Sequence, residues 1–172
     1  MHYEVLPGLP AYGPLPELFS ESGSGTYREG LVVEFHPDSS GPWVGNFQRG
    51  PTSYDGVFAH PDKQHLVVIS GGSAYVIDPE AKRLVEIFGG FVEACFELGG
   101  DLLFSNSIRL DLIGAASSWS TRRLAWDGLR ITQITDAFVG GEAYHFDGSW
   151  HSFRVLLADG QAFGGAYNGP EP

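Results

Sequence analysis

Lysine is nearly missing from this chain. Only Lys63 and Lys82 occur; with arginine they make 10 basic residues against 21 acidic ones, a formal net charge of -11 over 172 residues. Proteins that hold nucleic acid neutralise its phosphates with clustered Lys and Arg, so this balance argues against a nucleic-acid partner. Cysteine is scarcer still. Cys95 stands alone, which excludes an internal disulfide framework and a multi-cysteine zinc site. No run approaches the ~18 apolar residues of a membrane-spanning helix, and no membrane partner is expected. The opening MHYEVLPGLPAYGPLPELF has neither the basic start nor the continuous apolar stretch of a secretory signal, so a cytoplasmic location is the expectation. Walker-A, G-x-S-x-G and H-E-x-x-H patterns are also missing, and the motifs point to no catalytic residue, no metal and no cofactor.

What the chain does have is punctuation. Glycine occurs 24 times and proline 11 times, which leaves room only for helical turns, near residues 15–20 and 79–83. Short β-branched and aromatic runs lie between the glycines, the signature of strands. Gly71-Gly72, Gly99-Gly100, Asp127-Gly128, Asp147-Gly148 and Asp159-Gly160 each separate two such runs, and each is expected to turn a hairpin. The expected fold is therefore all-β: an antiparallel hairpin meander of propeller-like stacked small sheets, with a β-sandwich or barrel as the alternative. A chain of this length holds one domain with a real core. The expected organisation is a proline-rich N-terminal strap over residues 1–29, ending in a flexible SESGSGTYREG lead, and a single all-β domain over 30–172.

The tripeptide His-Pro-Asp occurs twice, at His36 to Asp38 and His60 to Asp62. Proline forces the residue before it to be extended, and Asp then starts a turn by bonding its own backbone. Both copies read as punctuation between strands, with neither histidine catalytic. J-domain cochaperones carry the same tripeptide between two helices; here strands flank both copies.

Register counting predicts the packing. Across Gly71-Gly72, one face carries Leu66, Val68, Tyr75 and Ile77 and the other Val67, Ile69, Ala74 and Val76. Across Gly99-Gly100, Phe96, Leu98 and Leu103 share a face, with Cys95, Leu102 and Phe104 behind. Strands apolar on both faces need cover on both. Around Asp127-Gly128, Trp126 is set against Leu129 and Leu124 against Ile131, with Arg123, Arg130 and Thr132 on a wet face.

Residues 60–88, HPDKQHLVVISGGSAYVIDPEAKRLVEIF, resemble one repeat of the YVTN type found in bacterial β-propellers: a Pro-Asp turn, an apolar strand, a glycine turn, an "xYVID" strand and an apolar return. The whole chain is similar to small bacterial all-β proteins sharing PxYGPLP, GLVVEF…WVGNFQ and RLAWDGLRI. That resemblance carries no activity with it.

Candidate binding residues come from the loops. In EAYHFDGSWH, His145 and Asp147 share a strand face and His151 returns across the turn; two such ligands on one hairpin do not make a metal site. Trp119 in a Ser-rich run and Trp150 beside Asp147-Gly148 are placed to stack on a sugar or anchor a protein partner. Trp119, His145, Asp147 and Trp150 are thus the expected binding residues. The expected function is a non-enzymatic binding module with a basic protein partner, an immunity-type inhibitor of a basic toxin being the specific version. The alternative is a hydrolytic enzyme whose site is assembled from distant loops, drawing on His36, His60, His65, His145 and His151.

Overall fold

At Gly71 and Gly72 the backbone takes φ of 55° and 85°, the left-handed region that a two-residue hairpin demands and glycine accepts without strain. The flanking runs pair antiparallel, Leu66 opposite Ile77 and Val68 opposite Tyr75 on one face, Val67 opposite Val76 on the other. The computed structural model describes residues 2–23 and 28–170; the middle of the expected flexible lead, residues 24–27, lies outside them. The chain divides into two compact units, Met1–Val92 and Glu93–Pro172. Among the described residues the protein is all-β, with four sheets of four strands each, mostly antiparallel and none closed into a barrel.

The first unit opens with β1 (His2–Leu6), β2 (Glu17–Phe19), β3 (Leu31–His36) and β4 (Trp43–Phe47), arranged in the order β1-β3-β4-β2. β2 runs parallel to β4. The proline-rich segment therefore supplies both edge strands of this sheet, and residues 7–16 join one edge to the other. The helical turn expected at 15–20 is β2 instead. Pro14 and Pro16 hold the chain extended into Glu17, and the free edge of β4 gives that extended chain a ladder to join. The second expected helical turn, at 79–83, is a reverse turn in which the Ala81 N–H donates to Asp78 Oδ1 at 3.0 Å.

A second sheet follows as a meander: β5 (Gly56–Ala59), β6 (Leu66–Ser70), β7 (Ser73–Asp78) and β8 (Arg83–Gly89). Phe35, Trp43 and Phe47 of the first sheet share a core with Val68, Tyr75 and Ile77 of the second. Phe19 joins it from β2, its ring stacked on Phe47 at 4.9 Å. The buried Trp43 indole N–H finds its acceptor in Pro79 O at 2.9 Å. The back face of the β6–β7 hairpin is buried as well, with Val67 and Ile69 fully covered.

The second unit contains β9 (Ala94–Leu98), β10 (Asp101–Ser105), β11 (Leu110–Ile113) and β12 (Trp119–Ser120) in one meander, and β13 (Leu129–Ile134), β14 (Phe138–Tyr144), β15 (Trp150–Leu156) and β16 (Ala162–Gly164) in another. Leu103 faces Phe96 and Phe104 faces Cys95 across β9–β10, the two-faced register expected there. β10 is buried on both sides, whereas edge strand β9 is half-buried. Asp127-Gly128 does not turn a hairpin: the chain only bends at Trp126 and Asp127 before entering β13. The Leu124 and Trp126 N–H groups donate to Ile108 O and Tyr144 O, and β13 pairs with β14. The expected pairing of Trp126 with Leu129 and of Leu124 with Ile131 is therefore not formed, because both sides of the bend find other ladders. Three of the four sheets are plain four-stranded meanders, the connectivity of a propeller blade.

Candidate functional site

Both His-Pro-Asp segments lie between strands, the first after β3 and the second between β5 and β6. Their turns are held differently. In the first, the Asp38 and Ser39 N–H groups donate to the Glu80 carboxylate at 2.7 and 3.3 Å, so Glu80 replaces the self-bonding Asp. The Ser39 hydroxyl adds a further bond, and these contacts hold Glu80 below the usual carboxylate range. In the second, Asp62 does cap its own turn, its Oδ1 accepting from the Gln64 and His65 N–H groups at 2.8 and 3.0 Å. Its other oxygen, Oδ2, lies 3.0 Å from His60 Nδ1 and 2.6 Å from His65 Nδ1. Burial opposes ionisation of Asp62, but hydrogen bonds from His65, the two amides and His60 outweigh it and hold the carboxyl well below its ordinary value.

The strand hairpin β14–β15 closes on a related turn. His145 Nδ1 lies 2.9 Å from Asp147 Oδ1, which also accepts from the Ser149 N–H and hydroxyl at 2.9 and 2.6 Å. The Ser149 bonds, followed by that of His145, keep Asp147 ionised well below the usual range. His151 Nε2 stands 2.8 Å from Ser149 Oγ. The serine proton is committed to the Asp147 carboxylate, so Ser149 accepts from His151 rather than giving it a proton. A serine nucleophile needs the opposite polarity.

Trp150 caps this end of β15. It packs on Tyr144 with ring centroids 5.1 Å apart, and the Arg130 guanidinium lies 3.8 Å over its indole. Trp119 folds back elsewhere, donating its indole N–H to Leu157 O at 2.9 Å and lying against Gly160, where a Cβ would meet the ring at 2.7 Å. Leu157 follows the far end of β15, about 20 Å along a seven-residue strand from Trp150. Both indoles are half-buried. His145, Asp147 and Trp150 share one hairpin end, and Trp119 sits at the other.

The most exposed apolar groups lie where register counting has no purchase. Tyr12 and Leu15 are each 93% exposed, on the loop of residues 7–16. That loop is anchored by β1 and β2 at its ends and by the Leu9 N–H, which donates to Glu29 Oε2 at 3.0 Å. In the second unit Phe146 is also exposed; Trp126 packs edge-on against it, and Arg123 lies 4.5 Å over Tyr167. Among the described residues Trp126 Nε1 is buried without a hydrogen-bond partner.

Hollows among the described residues include one lined by residues 6–10 and two others. Of those two, one is lined by Glu21, Gln48, Arg49, Ser73 and Tyr75, the other by Glu97, Asp101, Thr135 and Asp136. No histidine lines either, so neither pairs a nucleophile with an imidazole base. Burial, helped by Glu97, pushes the Cys95 thiol up to about 12, which suits an inert side chain. Comparisons with family models, with curated proteins and with solved structures return no match for this chain.

Proposed function

We propose that the protein is a non-enzymatic binding module that docks a protein partner through the loop of residues 7–16. The exposure of Tyr12 and Leu15 carries this reading: two large apolar side chains stand almost wholly in water on a backbone fixed at both ends by strands. A loop so held loses little conformational entropy on binding, and its prolines lower that cost further. Proline-rich segments with apolar side chains suit grooves lined by aromatic residues. The net charge of -11 favours a groove with a basic rim, in keeping with an inhibitor of a basic protein. Residues 60–88 belong in the same picture as a YVTN-type blade: they span the turn before β6 and the strands β6, β7 and β8, and such scaffolds present loops.

The test begins with capture from bacterial lysate on wild-type chain and on a Tyr12→Ala/Leu15→Ala double variant. A captured protein is then purified and its binding measured directly at two salt concentrations. Association should slow as salt rises, and the double variant should dissociate faster by a factor of at least about 30, corresponding to about 2 kcal/mol at one hot spot. Equal dissociation rates for variant and wild type would remove the loop from the interface.

A further inference from the structure

We infer that His60, Asp62 and His65 form a binding site for a divalent transition-metal ion of the zinc type. The strand ladder itself brings the imidazoles together. β5 and β6 pair in a register that ends with Ala59 opposite Leu66, and the His60 N–H donates to His65 O at 3.0 Å, extending the register by one step. Directly opposed residues project to the same face of a ladder. Asp62 sits in the turn between them, and the two amide bonds to Oδ1 aim Oδ2 at both Nδ1 atoms.

One potential ligand atom from each residue lies within 4.8 Å of the others. Tetrahedral bonds of about 2.0–2.2 Å to nitrogen and oxygen set ligand atoms about 3.3–3.6 Å apart. The Oδ2 to Nδ1 separations of 3.0 and 2.6 Å would open by up to about 1 Å to admit the ion, a movement of side chains that are not fully buried. Two imidazoles and one carboxylate suit zinc, cobalt or iron(II) better than magnesium or calcium, which take oxygen ligands. Each imidazole binds as the Nε2–H tautomer, which frees an Nδ1 lone pair for the ion; at His60 that nitrogen already accepts from the Asp62 N–H at 3.3 Å. The Gln64 and His65 amides already hold the carboxylate as a supporting shell does. Three protein ligands leave coordination positions for water or for a group brought by a partner.

The turn at His145 is a control within the same chain. There the residue opposite the first histidine is Ser149, through the His145 N–H to Ser149 O bond, and its hydroxyl occupies Asp147 Oδ1. His151 Nε2 engages Ser149 instead of the carboxylate.

Untagged full-length chain is titrated with Zn²⁺ by calorimetry and with Co²⁺ by visible absorption. One ion per chain is expected. Asp62→Asn leaves an amide oxygen to cap the turn, and His65→Gln removes one imidazole. Each should weaken binding at least about tenfold, the loss seen even for groups one step removed from a metal. A His145→Gln/His151→Gln double variant should bind as wild type does. In the wild-type chain Zn²⁺ should shift the ring resonances of His60 and His65 and leave those of His145 and His151 in place, a readout independent of variant folding. Absence of saturable binding, binding untouched by Asp62→Asn and His65→Gln, or shifts confined to His145 and His151 would each overturn the assignment.

Discussion

Val67 and Val68 are neighbours that point to opposite sides of one sheet, and both are fully buried. Val67→Asp and Val68→Asp should each cost more than about 4 kcal/mol, because either face would bury a charge without a partner. Arg130→Asp should cost only about 1 kcal/mol, chiefly the lost contact over Trp150. Urea melts of the three variants check the set; a mild effect at either valine would mean that its face is wet. This contrast was legible in the sequence, since a two-residue glycine turn leaves one register for the strands beside it. The stacking of Arg130 on Trp150 was not. Arg130 pairs with Glu142 on β14, and its meeting with Trp150 depends on which strand lies next again, which no local pattern states.

The element most at odds with its local signals is β2. Its residues read as a helical turn, and it forms a three-residue parallel edge strand held chiefly by Phe19, stacked on Phe47. Phe19→Ala should cost about 3 kcal/mol and release the strand before the sheet. The Gln48 amide, which donates to Phe19 O, should then exchange hydrogen far faster, while amides within β6 and β7 hold; equal acceleration throughout would show that β2 does not open by itself. Asp127-Gly128 teaches the complementary lesson. Its residues carry hairpin chemistry, yet the chain only bends there, because the N–H groups on either side take distant acceptors instead of each other's strand. The histidine sites divide the same way. His145 and Asp147 stand out in the sequence because they lie two apart on one face. His65 falls outside the repeated tripeptide, and only the β5–β6 register sets it opposite His60.

Across the whole molecule, acid should act through carboxylates that the fold holds ionised. Asp62 is depressed in the folded chain, so its contribution is complete above the unfolded value of about 3.9 and is lost as pH falls through the lower folded value. The stability gap between wild type and Asp62→Asn should therefore be widest near pH 6 and narrow towards about pH 2.5; a gap constant across that range would contradict the linkage. The first sheet carries a different kind of consequence. Because residues 7–16 join its two edges, a single chymotryptic cut after the exposed Tyr12 would leave β1 as a separate peptide. That peptide would be held by the ladder to β3, the packing of Tyr3 on the core and its hydroxyl bond to Val57 O, the His2 ring against His36 and the Leu9 contact with Glu29. The nicked protein should migrate as one species under native conditions and come apart in urea. A labelled peptide of residues 1–12 should then replace the departed strand, so that the molecule behaves as a receptor for its own first twelve residues.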